Sequence, residues 1–269
     1  MADNDAGDYA QPSHEVSAIS FFYEYSWGRD LHVKGQRVAS DYDVNYHDSA
    51  LKFVTYRRLG EQLYAFVVGL PFAAASLRKS SDDLDLAGSG IGDPVVLAGF
   101  WPYTNKEIGL QWGVSGWVTL PLGAYDQNKP INAGQNRWVF KPETNLTFTP
   151  VPGISMEATV ALQLFTDNTA FTPADLTLSR APLLTVEGHV SKQVTDDLNL
   201  SLDYFFHGGG ETSIAGIAQN NPKKDHALQT TATFPVGKDF SMRLLYRNDF
   251  HVENSFQTQM VGFRIIRPF

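Results

Sequence analysis

The chain has 269 residues, a formal net charge of −8 and no cysteine. The length suffices for one large β-barrel or two small domains, and the missing cysteines exclude a disulfide framework and cysteine-based metal sites. The basic residues are not clustered, so the composition does not indicate a nucleic-acid-binding protein.

The sequence contains no candidate for a membrane-spanning helix. Its longest apolar run, at 63–75, is shorter than the roughly 20 residues that such a helix needs, and Gly69 and Pro71 interrupt it. The mean hydropathy is also too low for a helical membrane protein. A transmembrane β-barrel has the same low hydropathy because half of every strand faces the lumen.

Residues 1–15 are polar and acidic and show no periodicity, which is typical of a disordered terminus. If this segment is ordered, it needs a polar container, such as a barrel lumen or a partner contact. We therefore treat it as a candidate lumen plug, separate from a barrel at 16–269. No apolar stretch follows Met1, so we expect this sequence to be a mature chain that lacks its signal peptide.

From Val16 onward, apolar and polar residues alternate with the two-residue period of a β-strand. The alternation predicts about twelve strands, centred on 19–27, 51–53, 64–72, 94–101, 108–120, 138–148, 156–164, 184–190, 198–206, 228–234, 242–246 and 261–269. A soluble β-domain with its apolar face inside is the alternative, since alternation alone does not distinguish the two.

The connections between these strands favour a membrane barrel. Long loops are predicted at 28–47, 76–93, 123–135, 166–179 and 208–225, and short turns lie between them. Transmembrane barrels have short periplasmic turns and long outer loops. Trp27, Trp101 and Trp138 fall at predicted strand ends, as an interfacial aromatic girdle requires. The sequence thus predicts an all-β, antiparallel, up-and-down transmembrane β-barrel in the bacterial outer membrane, with both termini periplasmic.

The last predicted strand resembles the C-terminal strand of outer-membrane barrels. Val261, Phe263 and Ile265 share one face and the chain ends at Phe269, the kind of residue that the barrel-assembly machinery reads in such proteins. Arg267 departs from the pattern because it lies on the apolar face, where it could extend to the lipid headgroups. The resemblance implies that the assembly machinery is a partner through Phe269.

The polar face of the predicted strands carries charge at mid-strand. Acids and bases are mixed there, so we expect them to pair across the lumen and narrow it; the alternative is a salt-bridge network that only holds the barrel open. The predicted lumen-lining residues are Lys52, Trp117, Lys141, Glu143, Glu157, Glu187, His189, Asp203, Phe205, Arg243, Arg247 and Arg264.

Four loop motifs, at 89–94, 121–126, 132–138 and 208–212, each contain glycine, and Lys141-Pro142-Glu143 follows the third of them. They do not lie between a strand and a helix, so they are not phosphate-binding loops. As an ordered set, they resemble the outer-membrane channel family of phenol-degradation meta-pathway proteins. The resemblance implies passive uptake of small hydrophobic molecules, and of aromatic ones in particular because the family accompanies aromatic degradation, without catalytic residues or a cofactor.

Other functions have less support. A barrel phospholipase needs Ser and His together on the lipid-facing surface, whereas His189 and His207 fall on the lumen face. Asp82, Asp83 and Asp85 could bind a divalent ion, but a solvated acidic loop is the simpler interpretation. We therefore expect no enzyme and no metal, and a monomer surrounded by outer-membrane lipid and lipopolysaccharide. A non-transporting structural or adhesive barrel is the competing class.

Several prolines suggest a lateral route. Five prolines, Pro71, Pro94, Pro121, Pro142 and Pro182, fall in the outer half of predicted strands or at their ends. A proline inside a ladder removes a hydrogen bond, and an unsatisfied group facing lipid costs several kcal/mol. We expect the wall to kink or part at Pro71 or Pro142, letting a solute leave sideways. Alternatively, the prolines only cap strands above the membrane.

Overall fold

The computed structural model describes residues 3–79 and 81–269, and its regular structure there consists of seventeen strands. Twelve form the barrel: β1 (Val16–Val33), β3 (Tyr42–Leu59), β4 (Gln62–Lys79), β6 (Val95–Asn105), β7 (Leu110–Thr119), β8 (Val139–Val151), β9 (Ile154–Phe165), β11 (Leu183–Gln193), β12 (Asn199–Gly209), β15 (Lys223–Val236), β16 (Phe240–His251) and β17 (Phe256–Pro268). Five short strands lie in the loops: β2 (Gln36–Ala39), β5 (Leu84–Ile91), β10 (Leu178–Arg180), β13 (Thr212–Ile214) and β14 (Ile217–Ala218). No helix in the described residues is long and apolar enough to cross a membrane.

The barrel is closed and antiparallel. Each barrel strand pairs with its neighbours in the chain, and β17 pairs back on β1 from Ala18 opposite Pro268 to Leu31 opposite Phe256. The backbone of Phe269 also exchanges two hydrogen bonds with that of Ser17, at 2.8 and 3.1 Å. Closure leaves no free edge in the barrel. The predicted twelve-stranded up-and-down barrel is confirmed.

The two faces of the wall are inverted relative to a soluble protein. On β12, Leu202 is 55% exposed on the outside, whereas Asp203, the next residue, is 0% exposed inside. Other strands repeat this arrangement, with large apolar side chains outside and mostly polar or charged ones inside. An apolar exterior around a polar interior is the pattern of a membrane barrel, and it excludes the alternative of a soluble β-domain.

One end of the barrel carries the short turns and the N-terminus of β1, and we call it the turn end. The opposite end carries the long connections, and we call it the loop end.

The predicted loops at 28–47 and 76–93 are wrong. β1, β3 and β4 continue through much of them, and β2 and β5 extend the sheet to fourteen strands. On the β3 extension the outer face is polar, with Asp43, Asn45 and His47, and Val44 and Tyr46 face inward, so the apolar outer face that marks a membrane strand is missing there. The β16–β17 connection at the loop end is short, unlike the others.

The predicted position of Trp101 in an outer aromatic girdle is also wrong. Trp101 faces inward, is 6% exposed, and packs with Leu63 and Ala65. It shares the inner face with Gly99, and the register with β7 shifts only after Phe100. Trp138 does face outward, at 43% exposure.

Candidate functional site

The N-terminal segment, residues 3–15, lies along the lumen. Near the turn end, the backbone N–H of Gln11 donates to Gln111 at 3.3 Å, and Thr104 donates to Gln11 at 3.0 Å. Further in, the indole N–H of Trp101 donates to the carbonyl oxygen of Tyr9 at 3.0 Å. Polar side chains of the wall thus hold the segment through both its backbone and its side chains.

Aspartates of the segment bind arginines of one wall. Asp5 lies 2.9 Å from Arg264, and Asp8 accepts hydrogen bonds from Arg243 at 2.6 Å and from Arg264 at 3.0 Å. Asp3, further towards the loop end, binds Arg247 at 2.8 Å. The ion pairs of these arginines run to the N-terminal segment rather than across the lumen to the opposite wall.

Glutamates of the facing wall accept hydrogen bonds from donors of the same segment. Glu157 accepts from the backbone N–H of Gly7 at 2.8 Å, and Glu187 accepts from the backbone and the side chain of Asn4 at 3.1 and 2.9 Å. Glu143 accepts from the Tyr9 hydroxyl at 2.6 Å. The wall is therefore split by charge, and the segment presents carboxylates to its basic side and N–H or O–H groups to its acidic side.

A second polar network lies within the wall itself. His189 Nδ1 is 3.0 Å from Asp203 Oδ1, and His189 Nε2 is 3.8 Å from Glu187. The ring of Phe205, which is 0% exposed, lies edge-on to His189, and the guanidinium of Arg247 lies 3.7 Å from the ring centroid. These contacts join β11, β12 and β16 into one rigid side of the lumen.

All twelve predicted lining residues are on the inner face, where each is buried or borders a cavity. Seven of them lie in the polar contacts around the N-terminal segment. The other five, Lys52, Trp117, Glu143, Arg243 and Arg264, border an open space that the sequence did not predict, and all but Lys52 also take part in those polar contacts.

This space is a cavity of about 560 Å³ beside the N-terminal segment, bounded by β1, β3, β4, β6 and β7. We call it the apolar compartment, because much of its lining is aliphatic or aromatic: Ala18, Phe22, Val54, Tyr56, Val67, Val95, Leu97, Trp101 and Trp117. A smaller cavity of about 320 Å³ on the other side is polar, with Arg180, His207, Lys223 and Arg247 in its lining. The alternation around Lys52 already places Val54 and Tyr56 on the inner face, so this signal could have identified part of the compartment.

Three of the four loop motifs meet above the apolar compartment. Asp93 accepts hydrogen bonds from the backbone N–H groups of Gly123 at 2.8 Å and Gln135 at 2.7 Å. A Cβ on Gly123 would lie 2.6 Å from the carbonyl carbon of Gly92, so only glycine fits at this close approach. Asn168, which is 1% exposed, joins the same loops through Tyr125 and Asn136. The motifs therefore close the loop end of the compartment.

The wall is irregular at both prolines of the predicted lateral route. On β8, Pro142 faces outward, and the pairing with β9 passes from Phe140 to Glu143 without Lys141 and Pro142, although Pro142 stays paired with Gly116 of β7. Pro71 borders the compartment, at the point where β4 changes its partner from β6 to β5. The other three prolines, Pro94, Pro121 and Pro182, lie just outside the barrel strands.

Two acids of the loop that could have bound a divalent ion form ion pairs instead. Asp82 pairs with Lys79, and Asp85 pairs with Arg78 at 3.2 Å. Both acids are exposed on the β4–β5 hairpin. Within residues 3–79 and 81–269, no group of three or more His, Asp or Glu side chains is arranged to hold a metal ion.

The fold is shared with outer-membrane proteins of known structure. The chain matches the COG4313 outer membrane channel from Pseudomonas putida F1 with a TM-score of 0.94 at 20% identity, over 99% of this chain and 100% of that one. It matches the transport unit of the autotransporter AIDA-I from Escherichia coli at a TM-score of 0.61 and 8% identity, over 98% and 92% of the two chains. It matches the KdgM porin at a TM-score of 0.51 and 9% identity, over 91% of this chain and 97% of that one. At these identities, the similarity establishes the fold.

Among curated proteins, none matches the chain. A family model described as "Putative MetA-pathway of phenol degradation" matches residues 20–265, which is nearly the whole barrel. This match agrees with the resemblance carried by the loop motifs, which is thereby confirmed. The chain belongs to this phenol-degradation family of outer-membrane-type β-barrels.

Proposed function

We propose that the chain is an outer-membrane channel for passive uptake of small hydrophobic molecules, aromatic ones in particular. The observation that carries the proposal is the apolar compartment, a space of about 560 Å³ whose lining includes Phe22, Trp101 and Trp117 together with many aliphatic side chains. Ligand pockets for small molecules commonly have about 300–1,000 Å³ and a predominantly apolar lining. The family description and the channel and porin names among the structural neighbours agree with this role.

The N-terminal segment acts as a plug in this proposal. Both termini of the barrel face the periplasm, and the segment enters the lumen from that side. Its contacts with both walls restrict straight passage, because Asp5 and Asp8 fill the space beside Arg243 and Arg264. Hydrated solutes would have to cross this charged region, whereas a hydrophobic solute is accommodated by the compartment beside it.

A lateral route gives the hydrophobic solute an exit. The compartment borders Pro71, and the interrupted pairing at Pro142 lies on β8, next to β7 and Trp117. In hydrocarbon, strands part most easily where a ladder hydrogen bond is already missing. A solute leaving there would pass into the membrane without crossing the charged part of the lumen.

Uptake by cells tests the proposal. Uptake of a radiolabelled monoaromatic hydrocarbon is compared between cells producing the chain and cells carrying an empty vector. The conductance of the protein is recorded in planar bilayers. We expect faster uptake with the chain present. Equal uptake together with no conductance would support the competing assignment, a structural or adhesive barrel that transports nothing.

A further inference from the structure

Lys52 of β3 carries its ammonium group among aromatic rings. Its Nζ lies 4.9 Å from the ring centroid of Phe22 and 6.0 Å from that of Trp117, at the border of the apolar compartment. Within the described parts of the chain, no carboxylate forms an ion pair with it, and no side chain accepts a hydrogen bond from it. An ammonium group on an apolar surface is stabilised more by an added anion than an ammonium group that is already paired or fully solvated.

Most carboxylates near Lys52 already have partners. Lys52, Arg243 and Arg264 border the same compartment, and the two arginines are bound by Asp5 and Asp8. Three other acids of the lining are also bound: Asp3 by Arg247, Glu143 by Lys141, and Asp93 by two backbone N–H groups.

The remaining acids of the compartment form no ion pair with Lys52 within the described residues. Glu24 and Asp48 lie opposite each other on β1 and β3, and Lys52 lies opposite Ser20. Four residues separate Lys52 from Asp48 along β3, a rise of about 13 Å in an extended strand. The backbone of the acidic pair therefore lies nearer the loop end, and Glu24 attracts the ammonium group without binding it directly.

The wall around Lys52 is shaped to let its side chain reach the compartment. Gly69 is its register partner on β4, and a Cβ there would lie 3.5 Å from Lys52 Cγ and 2.8 Å from Val95 Cγ2. On the other side of the lumen, Lys141 approaches the ring of Trp117 at 5.1 Å but is bound by Glu143 at 2.8 Å. Among the described residues, the ammonium group of Lys141 thus has a carboxylate partner and that of Lys52 has none within ion-pair distance.

We propose that Lys52 forms a carboxylate-binding site in the apolar compartment, and that the channel takes hydrophobic monocarboxylates, such as aromatic acids, alongside neutral molecules. The ammonium of Lys52 donates to the carboxylate, and the apolar body of the solute lies against Leu97, Val67 and the ring of Trp117. This inference rests on the proposed function, since it requires that solutes occupy the compartment.

Binding measurements on the reconstituted full chain test the site. Equilibrium dialysis compares radiolabelled 4-methylbenzoate with its neutral analogue 4-methylbenzamide at neutral pH, using phospholipid nanodiscs with and without the protein. Lys52→Met removes the charge and keeps the length, and Lys52→Arg keeps the charge. Lys106→Met, at an exposed position in the β6–β7 turn, is the matched control. Circular dichroism verifies that each variant is folded.

We expect wild-type protein to bind the carboxylate about tenfold more tightly than the amide, the value of one charge-assisted hydrogen bond. The preference should disappear in Lys52→Met and persist in Lys52→Arg and Lys106→Met. If wild-type protein binds both compounds equally, or Lys52→Met keeps the preference, the carboxylate site is refuted while the proposed function stands. If the protein binds neither compound, both proposals fail.

Discussion

Arg243 and Arg264 lie directly opposite each other on β16 and β17, and both guanidinium groups bind Asp8 of the N-terminal segment. Like charges opposite each other in a sheet destabilise it, so this pair needs the carboxylates that the segment supplies. The arginines are 9% and 6% exposed, which makes their charges costly to leave unpaired. The segment and the wall therefore stabilise each other, and predictions about conductance follow from that dependence.

Replacing Asp8 with Asn should loosen the N-terminal segment. The substitution removes the charge that the two guanidinium groups share, at a cost of about 1.5–3 kcal/mol for hydrogen bonds to charged groups. We expect a lower free energy of unfolding in urea and a larger or more variable single-channel conductance. Asp82→Asn is the matched control, because Asp82 is exposed on the β4–β5 hairpin. Equal conductance of the two variants would contradict a plug held by Asp8.

Deleting residues 2–13 should raise the conductance several-fold, since the deletion removes every contact from Asp3 to Gln11. The deletion keeps Glu15, whose carboxylate accepts from the backbone N–H of Arg58 at 2.7 Å, so the start of β1 retains its anchor. Planar-bilayer recording measures the change. An unchanged conductance would show that the segment lies elsewhere in the membrane-embedded protein.

Replacing Pro142 with Ala should close the proposed lateral route. Alanine supplies the N–H that proline lacks, which favours continuous pairing between β8 and β9. Uptake of a monoaromatic hydrocarbon should fall while ion conductance stays constant. Pro152→Ala provides the control, because Pro152 is exposed in the β8–β9 turn. Undiminished uptake in Pro142→Ala would leave a central route instead.

Replacing Asn168 with Ala should loosen the loops above the apolar compartment. The change removes the acceptor of the Asn136 side chain and of the Ala170 backbone N–H, at about 1–3 kcal/mol per unsatisfied group, and it removes one of the two hydrogen bonds of the Tyr125 hydroxyl. Limited proteolysis at 123–138 should become faster. In the same loop, Asn128→Ala should have no effect, because Asn128 is exposed. Equal cleavage rates for the two variants would show that Asn168 does not hold the loops.

The sequence predicts the barrel because the alternation that marks a membrane strand is a local pattern in the chain. Lipid-facing residues such as Leu200, Leu202 and Tyr204 repeat with a period of two, and each strand pairs with its neighbour in the chain. The same signal fails at 28–47, where the strands rise beyond the apolar belt and the outer face of β3 becomes polar at Asp43, Asn45 and His47. Trp101 was misplaced because a strand-end position does not indicate which face a side chain takes.

The site could be predicted only in part. Alternation places Lys52 and Trp117 on the inner face, but it does not reveal that they share an apolar compartment. That compartment depends on contacts between residues far apart in the chain, such as Asp8 with Arg264 or Asn4 with Glu187. These contacts fix which part of the lumen the N-terminal segment fills and which part stays open. No local pattern in the sequence encodes this division.

The most direct test of the account is uptake of a monoaromatic hydrocarbon by cells producing Val67→Trp or Val68→Trp. Val67 borders the apolar compartment, whereas Val68, the next residue of β4, faces outward at 55% exposure. An indole at 67 fills part of the compartment, so uptake should fall to nearly the level of cells without the protein. An indole at 68 faces lipid and should leave uptake unchanged. Equal uptake by the two variants, at the wild-type rate, would contradict the claim that hydrophobic solutes pass through the compartment.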